Sequence, residues 1–291
     1  MQLPIVVGVD GSEGSLRALD WAAAEAARSG LPLRVVHASL WEHYEGMRPT
    51  FDTDRPAEQV LAEHLVASAQ ERVQRLHSDV RVVAGVQPED PVDVLVRESH
   101  EATLVVLGSR GRGRVAGMLL GSVSLALAGR AHCPVVVTPA AAPDAPPRPG
   151  RVVVGIGDAP GPSAAARFAL AQAVSRHGEL IAVRAWRCPA HETADHPLLV
   201  GSPAAAHREK AEEHLEDVLA VLERSGPGAD VHRSVVQGPV HQVLIEEADG
   251  AEILVVGAHR SGGHRGPRLG PVDHSVLHYA SCPVAVVPHT H

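Results

Sequence analysis

The chain carries one pattern twice, and that repeat limits the folds open to it more than any other feature. The segment Ala102-Thr-Leu-Val-Val-Leu-Gly108 returns as Ala251-Glu-Ile-Leu-Val-Val-Gly257, and Ala131-His-Cys-Pro-Val-Val-Val137 returns as Ala280-Ser-Cys-Pro-Val-Ala-Val286. Both pairs stand 149 residues apart. The openings Val6-Val7-Gly8-Val9 and Val153-Val154-Gly155-Ile156 stand 147 apart, so the second copy gains a net two residues. Self-similarity at a fixed offset means one structural unit written twice, and half of 291 residues is an ordinary domain length. Between the copies, Pro139 to Gly150 holds five prolines. Proline lacks an N–H and fixes φ, so this stretch reads as a semi-rigid linker. The expected boundaries are 1–139 for the first domain, 140–150 for the linker and 151–291 for the second domain.

Within the first copy, short apolar runs alternate with longer helical patterns. Strands are predicted at Ile5–Val9, Leu33–Ala38, Val80–Val86, Thr103–Gly108 and Val135–Thr138, with helices near Ser12–Ser29, Pro56–His77, Pro91–His100 and Ser122–Arg130. Ser12 and Ser122 read as N-caps, and Pro56 and Pro91 as first-turn residues. Several strands are almost wholly apolar, as expected where helices cover both faces of a parallel sheet. The second copy keeps the rhythm, with helices near Pro162–His177, Pro203–Arg224, Pro239–Asp249 and Val272–Ala280. The expectation is α/β: two tandem flavodoxin-like domains, each a five-stranded doubly wound parallel sheet with helices on both faces.

Composition narrows the function. Aromatic residues are 2% of the chain, which argues against base stacking on single-stranded nucleic acid. The net charge of −8 opposes binding to nucleic acid or an anionic membrane. Of 26 basic residues only Lys210 is a lysine, and it sits in the charged run Arg208 to Glu213, which reads as a solvated helix face. Schiff-base and lysine-dependent P-loop chemistry therefore have one poor candidate. Three cysteines are too few for a disulfide framework. No run reaches the ~18 apolar residues of a membrane span, and the first residues open on a strand rather than a signal sequence. Cytoplasmic is the expectation.

In a doubly wound sheet the ligand crevice lies at the carboxyl ends of the strands, where strand order reverses. Two loops are placed to form it. The first is Gly8-Val9-Asp10-Gly11-Ser12. The second runs from Gly108 through Ser109, Arg110, Gly111, Arg112, Gly113 and Arg114 to Gly121-Ser122-Val123. Gly111 and Gly113 allow positive φ, which turns successive amides toward an anion. A helix opening at Gly121-Ser122 points its unpaired N–H groups and its dipole the same way. Ser122 either caps that helix or gives its hydroxyl to a phosphate. A plain turn with solvated arginines is the competing reading of the loop.

The spacing Gly-x2-Gly-x9-Gly-Ser resembles the ATP-binding pattern of the universal stress protein family, and Gly108, Gly111, Gly121 and Ser122 fill it. Val7-Gly-Val-Asp-Gly-Ser12, Ser15-Leu-Arg-Ala18-Leu19, Val36-His-Ala38 and His132-Cys-Pro-Val-Val-Val137 are also similar to that family, in the same order. The resemblance implies an ATP-binding stress-response module, with Mg²⁺ as a co-ligand. By resemblance, Gly8, Val9 and Asp10 meet the adenosine or the metal, and the Val36 and Ala38 backbone meets adenine. Gly108 to Arg114 would wrap ribose and phosphates, and Ser122 and Val123 would hold the distal phosphates. For Asp10 an Asx turn bonded to its own loop is the alternative. In this family the fifth strand is a usual pairing edge. A tandem chain would pair the two edges internally as a pseudo-dimer, with homodimerisation as a further expectation.

The second copy departs from the pattern. Its loop has Arg260 for the second glycine and Pro271 for the serine, and its first strand ends Ile156-Gly157-Asp158. Gly155, Asp158, Gly257, Gly263, Gly270 and Val272 outline a weaker second site. Nineteen histidines raise the question of metal, and His274 and His278 have an i, i+4 spacing. Without a His-Glu-x-x-His pattern or a nearby cysteine they read as surface residues, so no metal site is assigned. No catalytic triad assembles. The functional expectation is that nucleotide on the first domain regulates conformation or partner binding. The alternatives are a slow ATP hydrolase or phosphotransferase using Asp10 and the Gly108–Ser122 loop, and a nucleotide-free scaffold.

Overall fold

The structure is a computed structural model, and it describes residues 2–38, 57–111, 120–141, 146–188, 203–224, 228–258 and 269–288. The chain divides into two compact units, Met1–Ala141 and Ala142–His291. In the first, β1 (Ile5–Gly8), α1 (Glu13–Ser29), β2 (Leu33–Ala38), α2 (Ala57–Leu76), β3 (Val82–Gln87), α3 (Pro91–Glu98), β4 (Leu104–Gly108), α4 (Ser122–Arg130) and β5 (Val135–Thr138) follow one another. The strands lie in the order β3-β2-β1-β4-β5, each pair parallel. The second unit repeats this with β6 (Val152–Gly155), α5 (Ala164–Ser175), β7 (Glu179–Trp186), α6 (Pro203–Glu223), β8 (Asp230–Gln237), α7 (Val240–Glu247), β9 (Ile253–Gly257), α8 (Pro271–Tyr279) and β10 (Val284–Val287). Its order is β8-β7-β6-β9-β10, again parallel.

These are the doubly wound α/β units expected from the alternation of apolar runs and helical patterns. Flavodoxin itself has the order 2-1-3-4-5. Here β1 neighbours β4, so the strand order reverses between those two. Right-handed crossovers then put α1 and α2 on one face and α3 and α4 on the other. The reversal leaves a crevice between the loop after β1 and the loop after β4.

Burial explains why the strands are short, apolar runs. Val6, Val7, Val105, Val106 and Val136 are fully enclosed, as are Val152, Val153, Val154, Leu254 and Val255 in the second unit. The helix α1 meets the sheet through Ala18, Leu19, Ala22 and Ala23, none of them exposed. Alanine lets the helix lie close to the strands, and it is also the best helix former. Ser12 caps α1, its hydroxyl accepting from the Ser15 N–H at 3.2 Å. Asp90 caps α3 ahead of Pro91, accepting from Val92 N at 2.8 Å. The residue Pro56 lies outside the described residues.

Cys133 and Cys282 are buried just before β5 and β10, and burial pushes each thiol up to about 12. A thiol raised from about 9 to about 12 stays protonated in the fold while the unfolded chain ionises, so it stabilises below pH ~9 and that contribution is lost as pH rises through about 12. Only half-buried Cys188 is open to reagent. An aromatic disulfide reagent at pH 8 should therefore titrate one thiol per native chain and all three in denaturant. Two or three rapid thiols in the native protein would contradict this packing.

Candidate functional site

A cleft of about 1000 Å³ opens at the strand reversal of the first unit, between the carboxyl ends of β1 and β4. Its floor is built by backbone contact. A Cβ on Gly108 would lie 2.6 Å from the Gly14 carbonyl carbon, and one on Gly14 would lie 2.6 Å from the Arg110 oxygen. Only glycine at both places lets the loop after β4 rest on the first turn of α1. The pair therefore fixes the distance between the two loops. Ser124 ties α4 into the same corner, its hydroxyl donating to the Gly108 carbonyl at 2.8 Å.

Asp10 builds its own loop. Its Oδ1 accepts from the Ser12 N–H at 3.0 Å and from the Ser12 hydroxyl at 2.6 Å, which is an Asx turn. The other oxygen lies against Gly111, where a Cβ would come within 2.5 Å of it. This corrects the expected reason for that glycine. Gly111 is not in the left-handed region, and a side chain there would have to push the Asp10 carboxylate aside.

The helix start also differs from expectation. The N-cap of α4 is Gly121 rather than Ser122, with no side-chain cap and no acidic residue in the first turn. The Gly121 N–H is bonded to the Ser109 carbonyl at 2.7 Å. Ser122 thus stands at the first helical position. The N–H groups of Ser122, Val123 and Ser124 have no intrahelical acceptor, and all three residues line the cleft. The helix pole and its partial positive charge face the cleft without a protein anion in that turn.

The structure brings together Gly8, Val9, Asp10, Val36, Ala38, Gly108, Arg110, Gly111, Gly121, Ser122 and Val123 on the cleft wall. Ser109 does not line it: the residue is 4% exposed, with its hydroxyl unpartnered behind the loop. Arg112, Gly113 and Arg114 lie outside the described residues. Sequence reasoning missed the apolar wall of Pro91, Leu95 and Leu107, and the polar residues Glu13, Arg17 and Ser124. Pro91 and Leu95 stand four apart on α3, a spacing that puts them on one helix face. The place where a Gly8 Cβ would sit is taken by Leu107, at 2.5 Å. His37 supports the base of the cleft, with Nδ1 2.7 Å from the Val9 carbonyl, so that nitrogen carries the proton.

The second unit keeps the glycine positions but differs at the first turn of its last helix and in the loop after β6. Gly155 and Gly257 end β6 and β9, Gly270 caps α8, and Val272 follows Pro271 in its first turn. Asp158 is bonded to Arg184, which also donates to the Ile156 carbonyl at 3.0 Å. The guanidinium holds the Asp158 carboxyl below the usual carboxylate range. Gly263, His259 and Arg260 lie outside the described residues. Among the described residues no group of three or more His, Cys, Asp or Glu side chains is placed to hold a metal, and no helix is long and apolar enough to cross a membrane.

The sequence pattern of the universal stress protein family matches residues 1–139 and 149–288. The chain belongs to the universal stress protein family. A universal stress protein of Mycobacterium tuberculosis is 36% identical, over 97% of this chain and 96% of the relative. A second from that organism is 34% identical, over 98% and 94%. A universal stress protein of Archaeoglobus fulgidus shares the fold at a TM-score of 0.60, with 18% identity over 99% of this chain and 98% of that one. Both copies of the repeat are universal stress protein domains, and the tandem arrangement extends through these relatives.

Proposed function

We infer that the first unit binds one adenine nucleotide, ATP with Mg²⁺, and that occupancy rather than turnover is its output in a stress response. The observation that carries this reading is the start of α4. Its first turn has neither a side-chain cap nor an acid, and it faces a cleft whose walls are kept clear by glycines with occupied Cβ positions. Such a pole favours a phosphate. Ser122, Val123 and the Arg110–Gly111 backbone would hold the phosphates. Val9, Val36, Ala38 and the apolar wall at Leu95 would receive the base. Asp10 would stand beside the metal while keeping its loop in shape.

Arg17 supplies a route from occupancy to conformation. The residue lines the cleft and its guanidinium donates to the carbonyl of Ala140, just past β5. A phosphate entering the cleft competes for the same cation. Fast chemistry has no support in the residues: Asp10 is committed to the Asx turn, and no lysine lines the cleft.

Denaturing freshly purified protein and identifying released nucleotide by mass spectrometry tests the reading, with ATP or ADP expected. Turnover of the parent at saturating ATP should stay well below ~1 s⁻¹, the low end of ordinary enzymes. Absence of nucleotide together with no uptake by titration would defeat the binding reading, and turnover above that rate would replace it with an enzyme. Gly111→Ala should weaken ATP about five- to tenfold, because displacing Asp10 forfeits roughly one hydrogen bond, ~1–1.4 kcal/mol. Unchanged affinity in a calorimetric titration would remove Gly111 and Asp10 from the site.

A further inference from the structure

The two helix starts differ by one buried carboxyl group. Position for position, Gly121-Ser122-Val123-Ser124 corresponds to Gly270-Pro271-Val272-Asp273. In the first unit the third helical residue, Ser124, is neutral and turned to the Gly108 carbonyl at 2.8 Å. In the second that residue is Asp273, 3% exposed, its carboxylate accepting from the Gly270 N–H at 3.3 Å. A carboxylate buried to this degree is stable only where hydrogen bonds and positive charge compensate it, and a helix N-terminus provides both. Pro271 removes one amide and the serine hydroxyl from the same turn.

We propose that Asp273 is a resident anion: the second unit fills its own phosphate pole, and this carboxylate closes that unit to nucleotides. The inference rests on the nucleotide reading of the first unit. It differs from mere decay of a glycine motif, because a lost glycine leaves an empty pole whereas Asp273 neutralises it. A phosphate approaching α8 would meet a like charge within one helical turn, in a site already short of a donor. The first unit, with no acid in that turn, has no such barrier. Asp273 is thus a specificity-determining residue that makes two similar units unequal.

The test compares the full-length parent with Asp273→Ser, which installs the first unit's residue and keeps Pro271, and with the double variant Pro271→Ser/Asp273→Ser. Calorimetric titration of stripped protein with Mg·ATP reads the number of sites, and thermal melting checks the fold. Each variant should take up one more nucleotide per chain than the parent, with the double variant at least tenfold tighter at the new site. Folded variants that gain no site overturn the proposal. Loss of the second unit's melting transition in both variants also overturns it, since the carboxylate is then a structural cap. A parent with no site defeats the reading of the first unit, while the gain of variant over parent still decides the role of Asp273.

Discussion

Replacing Gly108 with alanine is expected to cost the first unit about 2–3 kcal/mol of stability and to abolish nucleotide uptake. The new Cβ would stand 2.6 and 2.7 Å from the carbonyl carbon and oxygen of Gly14. Both are backbone atoms at the start of α1, so no side chain can swing aside to relieve the clash, and overpacking of this kind costs ~1–3 kcal/mol. Relief requires the loop after β4 to lift from α1, which separates Arg110 and Gly111 from Asp10. Gly85→Ala is the matched control. It also places a methyl in a strand of this unit, but nothing lies within 4 Å of it. Urea unfolding should show the midpoint falling for Gly108→Ala and nearly constant for Gly85→Ala. Equal stability of the two would contradict the close contact of the loop and the helix.

Ser122→Pro should separate binding from folding. Proline is accepted at the first position of a helix, and it demands an extended residue before it. Gly121 already has φ −72° and ψ 149°. Gly270 has φ −65° and ψ 161° ahead of Pro271, so the second unit folds with this substitution in place. What disappears is one main-chain donor and one hydroxyl at the phosphate pole. A hydrogen bond to a charged group is worth ~1.5–3 kcal/mol, so losing both should weaken ATP by roughly a hundredfold or more. The melting temperature should move by no more than a few degrees. An unchanged affinity would mean that phosphate does not sit at α4.

The fold was readable because its determinants are local and periodic. Strands such as Val135–Thr138 and Val284–Val287 are valine-rich runs with all four residues buried, and Ser12 announces α1 by capping it. The repeat made each element count twice. The site was readable as a set of residues but less so as a mechanism. Gly111 looked like a residue needing positive φ, yet it answers to the Asp10 carboxylate. That contact joins residues far apart in sequence, and no local pattern encodes it. Ser122 looked like a cap because serine usually is one; the helix begins a residue earlier in structural terms, on a glycine without a capping oxygen. The wall of Leu95 and Leu107 reads in sequence as core, since cleft and core are lined by the same apolar side chains. Asp273 carries no sequence signal of its own, since an acid in the first turn of a helix is ordinarily solvated and only the fold buries this one.

If one of the two similar units holds nucleotide, a calorimetric titration of nucleotide-free full-length protein with Mg·ATP will count it. A single tight site per chain is expected, abolished by Gly108→Ala and weakened about a hundredfold by Ser122→Pro. Two equal tight sites, or a single site that both substitutions leave untouched, would contradict it.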